Sequence, residues 1–431
     1  MAVDPKVMVE ILIGLENVNV IEVKEDENGT NLKVTVETKN TKAICVKCKT
    51  KAKLKDRPVV KLYDLTSFGR KVELTWIKRR FYCPNDNCEV KSFTEDAPNI
   101  ANPRSSLSDR AARFATYQVG KNGRTITEIA RELGCSWHAV NNAVMAYGEV
   151  LLEASKNEDC VKSIGLDEAL FVKRGKYRKQ NYSTQIVDVG KGTLLDIVPG
   201  RSGDEAKKWF ESKPDDFKSN IEYGTLDLSS PYRSVYNQEL PHVIQVADPF
   251  HVIKLANSKL DECRRRVQNE TIGHRGRKND PLYRCRKLLL MANESIEEKG
   301  HTKRLGLLKA GDPNGEVETA RKAKEAVREL YSHADKETAS RWLDELANDM
   351  QYETNPIEVK SLGRTLVRWK SQIIAWHESH ITNAATEGIN NLVKRIKRIA
   401  FGFTNFENYR IRSLLYSGKP NWQLLSVIQP H

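Results

Sequence analysis

Long apolar runs are absent from this sequence. The stretch VMVEILIGL near the start is short and broken by Glu10, so neither a signal peptide nor a membrane span is expected. There is no internal repeat and no low-complexity tract, which speaks against a solenoid or a disordered chain. Cysteine is sparse, eight in 431 residues, and without a secretion signal that usage points to a reducing cytoplasm rather than a disulfide scaffold. Acids are in short supply: 57 Asp and Glu face 70 Lys and Arg, a net charge of +13, which implies a polyanionic partner. HESH at 377–380 is one residue too short to be the HExxH zinc-protease signature.

What remains is a soluble globular composition, 39% hydrophobic and 29% charged. The length exceeds what one core serves, so about two to four domains are expected. The positive charge is uneven. Residues 360–413 hold ten Lys and Arg against three acids, a local +7, and Arg264, Arg265 and Arg266 form a smaller run. Basic runs are often only solvated faces, so this alone decides little.

Four cysteines cluster in the first hundred residues, as Cys45-x2-Cys48 and Cys83-x4-Cys88 separated by 34 residues. Each pair follows a strand-like run, and between them KVELTWIKRRFY alternates as a strand should. Two such knuckles suit a structural, tetrahedral Zn²⁺ in a β-rich ribbon. The alternative is four unligated cytosolic thiols. Cys135, Cys160, Cys263 and Cys285 are scattered and read as core.

Residues 104–155 read as helices, and RTITEIARELGCSWHAVNNAVMAYGEVL fits a helix-turn-helix. Ile126, Ile129, Ala130 and Leu133 form one apolar stripe, Gly134 makes the turn, and Ser136 caps a second helix running from Trp137 to about Leu151. In that geometry His138, Asn141 and Asn142 face the DNA major groove. An ordinary αα-hairpin is the plainer reading.

From Lys162 the apolar period becomes two. SIGLDEALFVKR, NYSTQIVDVG and GTLLDIVPG read as an antiparallel meander, followed by alternating helices and strands in the order β-β-β-α-β-α-β-α. That is the order of a ribonuclease-H-like core, with Asp167 in the first strand and Asp227 at the end of the fourth. Residues 267–355 are helical, and PIEVKSLGRTLVRWKSQIIAWHESH reads as one further helix. Trp369 and Trp376 on it read as a core stripe, with base stacking as the alternative.

TNAATEGINNLVKRIKRIAFGF, residues 382–403, is the most strongly patterned helix. Ala385, Ile389, Leu392, Val393, Ile396, Ile399 and Ala400 share an arc of about 120°, expected to be buried. Thr382 or Asn383 caps it, and Glu387, Asn391, Lys394 and Arg398 stand opposite. Asp167, Asp227 and Glu387, separated by 60 and 160 residues, form a carboxylate set able to hold two divalent cations for phosphoryl transfer. All-oxygen ligation favours Mg²⁺, with Mn²⁺ as a substitute. Lys394 and Arg398 would then hold neighbouring phosphates. The plainer reading makes Glu387 a first-turn acid favoured by the helix dipole.

In CVKC, RRFYCPNDNC with SFTE, the helix-turn-helix, IGLDE, TLDLSSPY, ADPFHVIKL and TEGINNLVKRIKRIAFGFTNFENYRIR, the chain resembles bacterial insertion-sequence transposases of the DDE type, specifically the ISL-three family. The resemblance spans nearly the whole chain; the four-residue spacing within CPNDNC departs from a CxxC pair. It implies that Asp167, Asp227 and Glu387 are the catalytic triad, and that Asp248 and His251 of ADPFH form a [C/D]-x2-H element supporting the site. It further implies binding to double-stranded DNA, both element ends and target, as a homodimer or higher oligomer in the cytoplasm at the nucleoid, with no membrane partner. The expected fold is multidomain α/β: a zinc-ribbon module (1–100), a helix-turn-helix domain (101–155), the first part of a ribonuclease-H-like core (160–266), an all-helical insertion (267–380), and the end of the core with the glutamate helix (381–431). Two rival functions are a non-catalytic DNA-binding regulator and a structure-specific nuclease on the same core.

Overall fold

The structure, a computed structural model, describes residues 5–156, 161–176 and 179–430; Cys160 lies outside them. The chain divides into two compact units, one of Met1–Asn157 with Asn391–His431 and the other of Glu158–Asn390. Each has both helices and sheet, so the architecture is multidomain α/β.

The first unit, expected to begin as a β-rich module, opens with a helix, α1 (Pro5–Ile13). Strands β1 (Val18–Glu25), β2 (Asn31–Thr38), β3 (Lys53–Asp56), β4 (Val59–Ser67), β5 (Arg70–Ile77), β6 (Arg80–Tyr82) and β7 (Ser92–Thr94) follow. They form a sheet ordered β1-β2-β5-β4 and a smaller one ordered β3-β6-β7. KVELTWIKRRFY is therefore two strands in two sheets, not one. The break falls at Arg79, which is 3% exposed and pairs with Glu37 at 3.0 Å and Glu95 at 3.5 Å. A buried, doubly paired guanidinium turns the chain from one sheet to the next. Before the break, Val72, Leu74 and Trp76 point alternately into the core with Val34, Val36 and Leu62.

Three helices come next: α2 (Asp109–Gly120), α3 (Ile126–Leu133) and α4 (Trp137–Ala154). Gly134 and Ser136 act as the sequence predicts. Thr125 and Glu128 form a capping box, Gly134 takes φ 75°, which suits a residue without Cβ, and Ser136 accepts from the N–H of Ala139. Ile126, Ile129 and Leu133 are buried.

The second unit holds β8 (Ser163–Arg174), β9 (Lys179–Asp188) and β10 (Thr193–Pro199), then α5 (Asp204–Glu211), α6 (Asp215–Ser219), β11 (Tyr223–Leu226), α7 (Ser230–Glu239), β12 (Ile244–Ala247) and α8 (Pro249–Ile272). The sheet order is β10-β9-β8-β11-β12. The β8–β9 and β9–β10 pairs are antiparallel, while β8–β11 and β11–β12 are parallel. β8 is central, and Ile164, Gly165 and Leu166 are buried in succession because both faces are covered.

Helices α9 (Pro281–Leu290), α10 (Glu298–Gly311), α11 (Glu316–Leu330), α12 (Lys336–Asp349), α13 (Ile357–Arg368) and α14 (Lys370–Ser379) complete it. Leu166, Ile186 and Leu226 of the sheet and Leu260, Val327, Leu343 and Leu366 of the helices belong to one continuous core. The single helix read over 356–380 is two. Trp369, 2% exposed, sits at the corner under the Arg233 guanidinium (5.0 Å), and Arg233 donates to the Arg368 carbonyl at 3.0 Å. That bond satisfies a carbonyl at the break. Trp376 packs edge-on against Tyr331 at 5.3 Å, so both tryptophans are packing residues.

α15 (Ala384–Ile399) crosses from the second unit into the first, and α16 (Phe406–Ser417) packs Ile411 and Leu415 into the helix-turn-helix core. Among the described residues no helix is long and apolar enough to cross a membrane.

Candidate active site

β8 and β11 run parallel, with Thr225 opposite Gly165. Two residues further along each strand stands an aspartate, Asp167 on β8 and Asp227 just past the end of β11, on the same face of the sheet. Asp167 Oδ1 accepts the Glu168 N–H at 2.7 Å, and Oδ2 accepts the side-chain amide of Asn390. Burial pushes the Asp167 carboxyl up to about 6, and the charge of Asp227 adds to that rise. Burial raises Asp227 as well, against the opposing pull of His251 and Lys254. Asp227 Oδ1 is buried without a hydrogen-bond partner.

The start of α15 is fastened to this sheet by small and polar groups. Gly165 lets the helix approach, since a Cβ there would lie 2.4 Å from Thr386 Oγ1. Thr225 Oγ1 donates to Asn383 Oδ1 at 2.9 Å, and Asn383 N–H donates to Asp248 Oδ2 at 2.5 Å. Glu387, one turn into the helix, has Oε1 3.2 Å from His251 Nε2. Asp248 also caps α8 by accepting the Phe250 N–H at 2.7 Å. The pair Asp248 and His251 thus divides its work: the first braces both helix starts, and the second faces Glu387.

The buried face of α15 is rotated from the arc that the apolar periodicity predicts. The buried set is Thr386, Ile389, Asn390, Val393 and Ile396, with Ala385, Leu392 and Ile399 half-buried. Asn391 is exposed, and Asn390, which the apolar pattern does not single out, is buried. It donates to Asp167 and accepts from Gln185 Nε2 at 2.7 Å. Its i+3 spacing from Glu387 was the available signal. Lys394 and Arg398, seven and eleven residues beyond Glu387, are exposed.

The cysteine quartet is tighter. All four Sγ atoms of Cys45, Cys48, Cys83 and Cys88 lie within 4.8 Å of one another. Cys45 and Cys88 are 3.7 Å apart, and Cys48 and Cys83 are 3.4 Å apart. A tetrahedron with Zn–S bonds of about 2.3 Å has edges of about 3.8 Å, so the donor set fits a structural zinc. The Thr50 hydroxyl, then its N–H, pulls the Cys48 thiol down to about 6. The three acids do not gather so closely: among the described residues the cysteines alone bring three or more metal-binding side chains within 4.8 Å.

On α4, His138 and Asn142 are exposed, but Asn141 is 9% exposed. Asn141 is turned inward from the expected groove-facing row, because position 141 falls beside Val140 and Val144 on the packed side. It lines a cleft with Trp137 and Arg412.

Residues 164–413 match the family model for DDE-type ISL3 transposases, described as Transposase, and residues 95–148 match the helix-turn-helix domain of transposase family ISL3. The transposase for insertion sequence element IS1001 of Bordetella parapertussis is 24% identical over 422 residues, covering 95% of this chain and 97% of that protein. The transposase for insertion sequence element IS1557 of Mycobacterium tuberculosis is 25% identical over 423 residues, covering 91% of each. With its catalytic-region match spanning more than half of the residues and a helix-turn-helix match preceding it, the chain belongs to the ISL3 family of insertion-sequence transposases.

Proposed function

We propose that this transposase cleaves and joins DNA strands through Asp167, Asp227 and Glu387 on a ribonuclease-H-like core, with two Mg²⁺ or Mn²⁺ ions. The observation that carries the reading is the pair of aspartates on adjacent parallel strands, each raised by burial and one with an orphaned oxygen. Two half-buried carboxylates side by side repel one another despite the pull of His251 and Lys254, and a hard divalent cation supplies the balancing charge. The strand order, three antiparallel strands continued by two parallel ones, supports the fold assignment. When bound, the cations supply Lewis acidity, a more acidic water or 3′-hydroxyl, and stabilisation of the leaving oxygen.

The protein's own groups do the rest. Asn390 and the Glu168 N–H hold the Asp167 carboxylate in one orientation. Asp248 fixes the first turn of α15 and so the height of Glu387 over the sheet. His251 faces the Glu387 carboxylate and keeps it from swinging to solvent. Lys394 and Arg398 contact phosphates of the substrate. The helix-turn-helix, through the exposed His138 and Asn142, and a zinc ribbon held by Cys45, Cys48, Cys83 and Cys88, recognise the terminal inverted repeats. In this reading the chain is organised as a ribbon module to about 100, the helix-turn-helix to 155, and a catalytic core from 160 whose helical insertion spans 267–380 and whose last part, from 381, brings Glu387. It works in the cytoplasm at the nucleoid as a dimer or larger assembly on DNA.

The test is incubation of the purified protein with duplexes carrying its element's ends, with Mg²⁺ or EDTA, and mapping of cut and joined strands. Metal-dependent nicks at the ends followed by joining support the reading. End binding without any cleavage supports the regulator instead, and cleavage without end preference or joining supports a structure-specific nuclease.

A further inference from the structure

We propose that a cleft beside the helix-turn-helix, built around the guanidinium of Arg412, binds a backbone phosphate of DNA. The cleft measures 420 Å³ and lies wholly within the first unit, lined by the N-terminal ends of α3 and α4 and by the α15–α16 connection. Arg412 on α16 is 5% exposed, and its Nε and Nη2 are buried with no hydrogen-bond partner. The ring of Phe403 lies 5.1 Å from the guanidinium carbon.

The other buried arginines show what Arg412 lacks. Arg79 pairs with Glu37 and Glu95, Arg264 with Asp261, and Arg321 with Glu318, while Arg304 donates to Asn293. Among the described residues no carboxylate pairs with Arg412. Burial pulls the group down to about 10, so it still carries its charge at neutral pH. A buried, uncompensated cation is costly, and an anion entering the cleft offsets that cost. The planar fork of arginine matches a phosphate better than it matches a point anion.

The rest of the lining agrees. Asn141 and Asn408 contribute side-chain amides and Arg131 a second cation, whereas Glu128 is the sole acid. Its Oε2 already accepts the Thr125 N–H at 2.9 Å in the capping box. Asn141 and Trp137 belong to the second helix of the helix-turn-helix, so a duplex docked there presents its phosphates to this cleft. The inference rests on DNA binding by that domain. It adds a phosphate clamp supplied by α16, far away in sequence.

The experiment measures binding of end duplexes over a range of KCl for wild type, Arg412→Gln, Arg412→Lys and Asn141→Ala, with thermal melting of each. Arg412→Gln is expected to melt no lower than wild type and to bind about tenfold more weakly, with the slope of log K against log salt shallower by about 0.9. Arg412→Lys should keep the slope but lose affinity, because it keeps charge without the two-point contact. Asn141→Ala should lose affinity at unchanged slope. If Arg412→Gln fails to fold, the lysine variant decides: wild-type affinity there overturns the proposal. A folded Arg412→Gln with wild-type affinity and slope also overturns it. A separate arm adds inorganic phosphate at matched ionic strength. Stabilisation of wild type alone, with an unchanged DNA slope, makes this a free-anion site and overturns the DNA assignment. Wild type that fails to bind ends at all contradicts the function proposed above rather than the role of Arg412.

Discussion

Asp248 accepts the backbone N–H of Asn383 at 2.5 Å, and so ties the start of the helix bearing Glu387 to the start of the helix bearing His251. Its other oxygen caps α8 through Phe250. Asp248→Ala removes a cap worth about 1 kcal/mol and a charge-assisted bond worth about 1.5–3 kcal/mol. The unfolding free energy of the unit containing α8 should fall by about 2–4 kcal/mol in urea titrations, and end cleavage should fall further than DNA binding. Cleavage at the wild-type rate in a destabilised but folded variant contradicts the bracing role.

Asn390 tests the orientation of Asp167. Asn390→Ala should slow metal-dependent cleavage about tenfold or more while leaving end binding intact, since one hydrogen bond to a charged group is lost. Asn390→Asp sets a second carboxylate against Asp167 and raises its pKa further. The pH–rate profile of that variant should move to higher pH. A profile superimposable on wild type shows that Asn390 does not act through Asp167.

Gly165 is required by the close seat of α15. Gly165→Ala places a methyl 2.4 Å from Thr386 Oγ1 and 2.9 Å from Thr225 Oγ1. Overpacking of this kind costs about 1–3 kcal/mol and should lift Glu387 from its place. Thr386 Oγ1 has no hydrogen-bond partner, so Gly165→Ala combined with Thr386→Ala should recover part of both stability and cleavage. No recovery in the double variant contradicts this contact as the cause.

The pH dependence of the metal-free protein has a definite sign. Asp167 is raised from 3.8 to about 6 in the fold. Its protonated form is favoured there, so its stabilising contribution is complete below about 3.8 and lost as pH rises through about 6. A cation must displace that proton. The rise in melting temperature on adding Mn²⁺ should therefore be small at pH 5 and grow as pH passes 6. Asp167→Asn should remove most of that growth. A metal-induced shift independent of pH contradicts the placement of the ion at Asp167.

Much of this was legible in one sequence because local chemistry agreed with the final fold. Gly134 and Ser136 mark helix ends through backbone freedom and a side-chain oxygen, and they do so here. The period-two runs of β8 to β10 were readable because sheet faces alternate. What escaped depended on distant partners. The breaks at Arg79 and Trp369 are made by Glu37 and Glu95, and by Arg233, none of which is a local signal. Asn390 carries no local signal beyond its spacing from Glu387, and Asp167 and Gln185 give it a buried role. Asn141 is buried against expectation for the same reason: helical periodicity alone does not say which side the rest of the fold covers.

The most direct measurement is single-turnover cleavage of end duplexes by Glu387→Gln, with end binding measured in parallel. The substitution keeps size and helix propensity but removes the charge that would balance a divalent ion. Cleavage should fall by at least about 10³-fold, and pairing it with Asp167→Asn or Asp227→Asn should add little, as for groups acting as one unit. Folding and end binding should stay near wild type. If Glu387 is only a first-turn acid, the change costs a few tenths of a kcal/mol of helix-dipole energy, and wild-type cleavage by Glu387→Gln contradicts the triad.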